Sequence, residues 1–288
     1  IESSVMKLPY AEPYKIKMIE PMHPSTRAQR SGWIKEARYN LFNLKSQQVF
    51  IDLVTDSGTG AMSQEQWSAL MSGDESYAGS RSFDQLQETI SSLTGFPFVL
   101  PTHQGRAAEN VLFSVMVKEG QVVPGNAHFD TTKGHIEFRK ARAFDCTIDE
   151  AIDTTLLHPF KGNLDITKLD NVVEVYGKDR IPMIIVTLTC NSTGGQPVSM
   201  ENLKAVREFA NGHGIPVIFD AARFAENAYF IKTREKGYAE RSIREIVLEM
   251  FSYADGMTMS SKKDGIVNMG GFIALKSKAL YREATTFN

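Results

Sequence analysis

Short apolar runs alternate with segments of helical periodicity along most of this 288-residue chain. Runs of a few apolar residues predict buried strands, and apolar residues repeating every three to four positions predict amphipathic helices. The predicted strands are 96–101, 121–123, 183–189, 216–219, 256–259 and 271–274, and the predicted helices are 64–71, 83–93, 105–117, 200–211 and 242–254. A further apolar run, 49–54, is also interpreted as a strand. Strands that alternate with helices over short connections indicate an α/β fold with a doubly wound sheet.

Residues 1–45 do not follow this alternation. Pro9, Pro13, Pro21 and Pro24 interrupt any long helix in this charge-rich stretch, because proline lacks a backbone donor and clashes with the preceding helical turn. We therefore predict an N-terminal arm with short helical pieces that packs on a partner, followed by one large domain over 46–288.

Composition narrows the class of protein. Hydrophobic content of 42%, charged content of 23% and a net charge of -2 provide no basic field for nucleic acid. The apolar runs are shorter than the roughly 20 residues that span a bilayer, and the first residues lack a signal core. Cys146 and Cys190 are far apart without metal-ligand spacing, which favours a reducing compartment. We expect a cytoplasmic protein with no nucleic-acid or membrane partner.

The candidate chemistry centres on a lysine and a carboxylate. Lys263, in the pair Lys262-Lys263, comes after a predicted strand, and Asp220 ends another. An aldehyde cofactor with a pyridine nitrogen, pyridoxal 5'-phosphate, requires an amine for a Schiff base and an anion beside that nitrogen. The alternatives are a solvated lysine turn and, for Asp220, a structural ion pair with Arg223. Both charged residues of that pair lie at a strand end, where open α/β sheets bind ligands.

A phosphate group and an aromatic ring need further partners. The segment 102–106 (THQGR) falls between a strand and a helix and offers a helix start, Gly105 for close approach and a guanidinium. Ser260 adds a hydroxyl, and Phe129 is a candidate for stacking on the ring. A polar loop and ordinary core packing are the respective alternatives. The nearby His128 and His135 show no metal-ligand spacing.

A different cofactor is considered for 56–63, which nearly matches a dinucleotide-binding glycine motif. Asp74 and Glu75 follow at a distance that suits ribose recognition. Ser63 occupies the third glycine position, however, and three polar residues separate the preceding run from the first glycine. These departures disfavour the nicotinamide interpretation.

Seven motifs in order carry a resemblance that covers nearly the whole chain. They are LVTDSGTGAM, GDESYAGSRSF, PTHQGR, FDTTKGH, NSTGGQPVS, FDAARFAENAYFIK and MSSKKD. The chain resembles the pyridoxal-phosphate-dependent β-eliminating lyases, the family of tryptophanase and tyrosine phenol-lyase. The resemblance implies the aspartate aminotransferase fold (fold type I), with a mostly parallel seven-stranded sheet in the large domain.

The resemblance also implies roles for individual residues. Lys263 matches the Schiff-base lysine, Asp220 the pyridinium partner, Arg223 the neighbour of the phenolic oxygen and Tyr77 a proton-transfer residue that reaches the neighbouring subunit. The remaining cofactor positions are Gln104, Gly105, Arg106, Phe129, Asn191, Ser260 and Lys262. Thr55, Ser57, Asn191 and Asp130 match substrate-side positions. Gly58, Glu75 and Asn268 match ligands of a potassium ion between subunits.

Within the family, Asp130 after the stacking Phe129 resembles tryptophanase, where the phenol-lyase has threonine. The expected reaction is β-elimination of L-tryptophan to indole, pyruvate and ammonia by a homo-oligomer, a dimer or tetramer with shared sites. The alternatives are tyrosine phenol-lyase, an aldolase or aminotransferase with the same fold, and a non-catalytic remnant. The remnant is considered because family members continue past Asn288 into a smaller domain with a substrate-binding arginine.

Overall fold

The computed structural model describes residues 23–58 and 62–288. The chain divides after Thr55 into two units, 1–55 and 56–288. In the first unit, helix α1 (Arg27–Glu36) begins at Thr26, whose hydroxyl accepts from the Gln29 amide while the Gln29 side chain returns to the Thr26 amide. This reciprocal capping satisfies two amides that the helix leaves unpaired. Two short 3-10 turns, Leu41–Asn43 and Ser46–Gln48, follow.

The second unit contains the sheet and the remaining helices. Its strands are β1 (Phe98–Thr102), β2 (Val122–Gly125), β3 (Arg142–Asp145), β4 (Ile184–Thr187), β5 (Val217–Asp220), β6 (Gly256–Ser260) and β7 (Gly271–Leu275). Its helices are α2 (Gln64–Ser72), α3 (Arg81–Thr94), α4 (Gly105–Met116), α5 (Asp130–Phe138), α6 (Ile166–Tyr176), α7 (Met200–His213), α8 (Phe224–Arg234), α9 (Ile243–Ser252) and α10 (Lys278–Ala284).

The seven strands form one sheet in the order β1-β7-β6-β5-β4-β2-β3. Only β7 runs antiparallel to its neighbours β1 and β6, and the other pairs are parallel. The expected α/β fold with a mostly parallel seven-stranded sheet is confirmed. Because all strands except β7 point the same way, their carboxyl ends meet at one edge, where such sheets bind ligands.

Helices cover both faces of the sheet, so the central strands are apolar on both sides. In β4, Ile184 and Val186 belong to one buried cluster and Ile185 to the other. The first cluster packs residues of α3, α6, α7, α8 and α9, and the second packs residues of α4, α5 and α10. The two cores hold the strand ends in a fixed arrangement.

The predicted strands and helices of the second unit are all present, with ends shifted by a few residues. Helices α5, α6, α8 and α10 and strand β3 were not predicted. Strand β3 lies at the edge of the sheet with Arg142 and Asp145 exposed, so it lacks the apolar run that marks a central strand. Gly134 interrupts α5 and weakens its helical pattern.

The strand interpretation of 49–54 is wrong. This stretch is irregular, and the side chains of Ile51 and Leu53 are exposed. A strand needs a hydrogen-bonded neighbour, and among residues 23–55 no other strand is present to supply one.

Candidate active site

A cavity opens at the carboxyl ends of β4, β5 and β6, beside the N-terminus of α4. Residues of six segments of the chain form its wall. They are Ser57, Gln104, Gly105, Arg106, Glu109, Phe129, Thr131, Thr187, Leu188, Thr189, Asn191, Asp220, Ala222, Arg223, Thr258, Met259, Ser260, Lys262 and Lys263. Residues predicted from distant motifs therefore meet at one site.

Lys263 lies in the turn that follows β6. Its Nζ donates a hydrogen bond to the Ser260 Oγ at 2.9 Å. Burial lowers the pKa of the Lys263 ammonium, and the Arg223 guanidinium lowers it further. A lysine of this kind reaches its neutral, nucleophilic form at lower pH than an exposed lysine.

Asp220 is the last residue of β5, and its side chain faces the same cavity. Burial raises the pKa of this carboxyl to about 7, and the neighbouring Glu109 carboxylate acts in the same direction. Lys263 and Arg223 oppose the rise. Ionising a buried carboxyl is unfavourable when no cation is near. A cationic group of a ligand placed beside it therefore stabilises the ionised form strongly.

The N-terminus of α4 supplies an anion-binding surface. Gln104 is the residue before the helix, and Gly105 and Arg106 form its first turn. The first amides of a helix have no partner within the helix and attract anions. A Cβ atom at Gly105 would lie 2.6 Å from the Ser260 Cβ, so the absence of a side chain brings this helix start against the end of β6.

Phe129 and Asn191 reach the cavity from two neighbouring loops. The residue before Phe129, His128, is anchored by Asp145, whose Oδ1 accepts from the His128 amide at 2.9 Å and lies 2.6 Å from its Nδ1. The Ser192 hydroxyl donates to the His128 carbonyl at 2.7 Å. These contacts tie the Phe129 loop to the 3-10 turn Asn191–Thr193.

Arg223 does not form the ion pair with Asp220 that was considered as an alternative. Its guanidinium binds Asp56 instead, with Nε at 2.7 Å from Oδ2 and Nη2 at 2.8 Å from Oδ1. The Asp56 carboxylate raises the pKa of Arg223, and Arg223 lowers the pKa of Asp56. The Asp220 carboxylate is thereby left facing the cavity.

Asp264, the residue after Lys263, has a structural role. Asp264 accepts hydrogen bonds from the backbone amides of Ala225 at 2.7 Å and Glu226 at 3.3 Å. It therefore caps the start of α8 from another part of the chain, since Arg223 at that helix start makes no side-chain cap bond. This cap fixes the lysine turn next to Arg223.

Several predicted residues lie outside the cavity wall. Tyr77 is fully exposed, Asp130 is exposed at the start of α5, and Glu75 is exposed in the turn before Tyr77. Thr55 belongs to the first unit. Gly58 and Asn268 lie close together: a Cβ atom at Gly58 would be 3.6 Å from the Asn268 carbonyl oxygen, and the Gly58 amide donates to the Lys262 carbonyl at 3.0 Å.

Sequence reasoning missed two carboxylates, Glu109 and Asp56, and the hydroxyl of Thr131. Glu109 follows Gly105 by four residues in α4, a spacing that puts both on one helix face. This spacing could have placed Glu109 beside the predicted phosphate-binding residues. Asp56 carried no comparable signal, because it lies in the polar stretch assigned to the disfavoured nicotinamide motif.

The residues of the cavity fit pyridoxal phosphate. A lysine amine with a lowered pKa and a buried carboxylate with a raised pKa share one wall. The glycine at the helix start leaves space that a Cβ atom would fill. These groups, at the carboxyl edge of an α/β sheet, are the ones that an aldehyde cofactor bound through a lysine requires.

The chain belongs to the β-eliminating lyase family, whose model matches residues 52–287. It is 65% identical over 98% of its length to a probable beta-eliminating lyase of Trichomonas vaginalis, of which it covers 61%. It is 55% identical over 95% to the tyrosine phenol-lyase of Lacrimispora saccharolytica and 50% identical over 95% to the tryptophanase of Salinibacter ruber, covering 58% of each. The chain thus spans about 60% of the length of these relatives.

Solved structures share the fold. A chain of the SepCysS-SepCysE N-terminal domain complex matches with a TM-score of 0.58 at 16% identity, over 83% of this chain and 60% of that one. A protein of Exiguobacterium sp. 255-15, provisionally described as an aromatic amino acid beta-eliminating lyase or threonine aldolase, matches with a TM-score of 0.55 at 14% identity, over 75% and 54%. The fold is that of the pyridoxal-phosphate-dependent transferases, as expected. In the described part of the chain, no helix is both long and apolar enough to cross a membrane.

Proposed function

We propose that this chain is the cofactor-binding part of a pyridoxal-phosphate-dependent lyase that converts L-tryptophan to indole, pyruvate and ammonia. The observation that carries the proposal is the shared cavity wall of Lys263 and Asp220 in a chain of the β-eliminating lyase family. The choice of tryptophan is supported by Asp130 directly after Phe129, the residue that resembles tryptophanase.

Each part of the cavity would hold one part of the cofactor. The amides at the start of α4, the Arg106 guanidinium and the Ser260 hydroxyl would bind the phosphate, with Lys262 adding positive charge. The Asp220 carboxylate would face the pyridine nitrogen, and Phe129 would pack against the ring. Gln104 would also hold the phosphate, and Arg223 and Asn191 would contact the polar edge of the ring.

When bound, pyridoxal phosphate supplies an electron sink for an amino acid carbanion. The Asp220 carboxylate would keep a proton on the ring nitrogen, because an adjacent anion favours the protonated state. The Lys263 amine would remove the α-proton of the bound amino acid. Its lowered pKa makes the neutral base more available near neutral pH.

Departure of the indole ring requires a proton donor, for which we propose Tyr77. Its side chain is fully exposed and does not contribute to the cavity of its own chain. These facts support a role in the site of a neighbouring subunit, so that the enzyme would be a homo-oligomer. Ser57, which lines the cavity, would lie on its substrate side.

We further propose a potassium ion at the subunit boundary, held by backbone carbonyls of Gly58 and Asn268 and by the Glu75 carboxylate. The proximity of Gly58 to the Asn268 carbonyl supports this. Because Gly58 also binds the Lys262 backbone, the ion would support the lysine turn. Replacing potassium chloride with choline chloride should weaken cofactor binding, and equal affinity in both salts would contradict the site.

Tyrosine phenol-lyase activity is the second candidate. It is favoured by the tyrosine phenol-lyases among the relatives, which are up to 55% identical to this chain. Both substrates require the same Lys263 and Asp220 chemistry, so the distinction depends on the groups that meet the departing ring.

One experiment tests the proposal and separates the candidates. The full-length natural protein is incubated with pyridoxal phosphate, its visible spectrum is recorded, and indole, phenol and pyruvate are assayed after adding L-tryptophan or L-tyrosine. Release of indole with pyruvate supports the tryptophan lyase proposal. Release of phenol with pyruvate, without indole, supports tyrosine phenol-lyase activity instead. A visible band without either product would refute a lyase, and the absence of a band would refute the cofactor.

A further inference from the structure

A buried carboxylate of α4, Glu109, lies in the cavity wall without a role in the proposed chemistry. Glu109 is only 5% exposed. Within residues 23–58 and 62–288, no lysine, arginine or histidine forms an ion pair with it. Burying an unpaired carboxylate is unfavourable unless hydrogen bonds compensate, so the hydrogen-bond partners of Glu109 indicate what it does.

Those partners are two threonines in the first turn of α5. The Thr131 Oγ1 donates to the Glu109 Oε2 at 2.6 Å, and the Thr132 Oγ1 donates to the Oε1. Both oxygens of the carboxylate are thus bound to residues that directly follow Phe129. The N-terminus of α5 also favours a negative charge at this point.

Glu109 therefore joins two elements that carry different parts of the proposed cofactor site. It stands one helical turn after Gly105 and Arg106, the anion-binding start of α4. Through the threonines it reaches the segment that presents Phe129. A second contact between the same helices, from the Arg139 Nη2 to the Asn110 carbonyl at 2.8 Å, leaves the cavity end of the helix pair to be held by Glu109.

We propose that Glu109 is a positioning residue of the cofactor site, which sets the ring of Phe129 relative to the phosphate-binding N-terminus of α4 through the hydroxyls of Thr131 and Thr132. This inference rests on the proposed cofactor. Burial raises the pKa of the Glu109 carboxyl, while the two threonines and the Lys263 and Arg106 cations lower it. The link requires only hydrogen-bond acceptance, which the neutral amide of glutamine also offers.

Thr132→Val is the most informative variant, because Thr132 is buried and does not contribute to the cavity wall. Valine has nearly the same shape and lacks the hydroxyl. Any effect on the cofactor must then pass through Glu109 or the α5 start. We expect the dissociation constant for pyridoxal phosphate, measured by equilibrium dialysis of the full-length protein, to rise about 10-fold, as is typical when a residue that orients a binding residue is removed.

The Glu109 variants distinguish geometry from charge. Glu109→Leu removes the link and should weaken cofactor binding about 10-fold or more. Glu109→Gln keeps an acceptor for one threonine and a donor for the other, and should recover most of that loss. Equal losses in the two variants would overturn the positioning role in favour of a charge effect.

A double-mutant cycle tests whether the link acts through the ring. Phe129→Leu and Thr132→Val should be non-additive in cofactor affinity by about 5-fold or more, and both should reduce the circular dichroism of the bound cofactor band. Additive effects would overturn the inference. Thr233→Val, on the exposed side of α8 with its hydroxyl bound to the Tyr229 carbonyl, is the matched control and should leave affinity unchanged.

The outcomes separate this inference from the proposed function. If the unaltered protein retains no pyridoxal phosphate after dialysis, the proposed function fails. If it retains the cofactor and Thr132→Val binds equally well, while urea unfolding shows both proteins folded, only the role of Glu109 fails. If Thr132→Val does not fold, Glu109→Gln against Glu109→Leu still decides the question.

Discussion

Both carboxylate oxygens of Asp56 bind the guanidinium of Arg223, at 2.7 and 2.8 Å. A bidentate pair of this kind fixes the plane of the guanidinium as well as its position. Because Arg223 also lines the cavity, Asp56 determines which edge of this cation faces a bound ligand. The pair joins the start of the second unit to the turn after β5.

Replacing Asp56 with asparagine should destabilise the protein modestly. The pair is partly exposed, so we expect a loss of about 1 kcal/mol in the free energy of unfolding, measured in urea. Glu119→Gln is the control. Glu119 and Lys140 form an ion pair in which both side chains are exposed, so its loss should not change the free energy of unfolding measurably. A change in Asp56→Asn no larger than in the control would show that the pair is not structurally important.

Lys263→Ala should abolish the visible absorbance of a lysine-linked cofactor. The control is the neighbouring Lys262→Ala, which should keep the band and bind pyridoxal phosphate more weakly, because Lys262 would contribute only charge near the phosphate. The absorbance spectrum of each variant with added cofactor decides the matter. A lysine-linked band in Lys263→Ala would show that another amine binds the aldehyde.

The stability of the cofactor-free protein should depend on Asp220 in a defined pH range. The pKa of Asp220 is raised from 3.8 to about 7 in the folded protein, so the folded state binds this proton more tightly than the unfolded state does. Stability is therefore lost as the pH rises from about 4 to about 7, and the full penalty applies above that range.

Asp220→Asn cannot ionise, so its unfolding free energy should fall less steeply than that of the unaltered protein across this range. Urea unfolding at several pH values, without cofactor, measures both slopes. Titrating groups that do not interact with Asp220 contribute equally to the two proteins and cancel in the comparison, whereas the neighbouring Glu109 carboxyl would ionise more easily beside asparagine and adds to the same difference. If the free energies of unfolding of the two proteins change in parallel with pH, ionisation of Asp220 does not destabilise the folded protein.

Gly105→Ala should disturb the anion-binding start of α4. The added Cβ atom would meet the Ser260 Cβ at 2.6 Å, and overpacking of this kind costs about 1–3 kcal/mol. Cofactor affinity should fall as well, because the helix start must move away from β6. Gly134→Ala in α5 is the control: its Cβ atom would meet nothing within 4 Å, and alanine should stabilise the helix by about 0.5–1 kcal/mol. Equal unfolding energies for the two variants would contradict the close approach.

Asp130→Thr should change the choice of substrate. If Asp130 favours tryptophan, the ratio of indole release to phenol release should fall in this variant, with little change in cofactor binding since Asp130 is exposed and lies outside the cavity wall. Parallel assays with L-tryptophan and L-tyrosine measure the ratio. An unchanged ratio would remove the main support for tryptophan over tyrosine.

Local patterns in the sequence were sufficient for six of the seven strands of the sheet and for the central pair of the site. The strands β4, β5 and β6 are buried on both faces, and such strands appear as continuous apolar runs. Asp220 ends one of these runs and Lys263 lies in the turn after another, so their meeting at the carboxyl edge was predictable. The motif spacing also identified the family, because each motif is contiguous in the chain.

Contacts between distant polar residues could not be obtained in this way. Arg223 and Asp56 are 167 positions apart, and nothing local favours Asp56 over Asp220 as the partner. Glu109 looked like an ordinary charge on a helix until the packing of α4 against α5 placed two threonines on it. Carboxylates share one chemistry and differ in burial and neighbours, and these depend on how the elements pack rather than on the residues beside them in the chain.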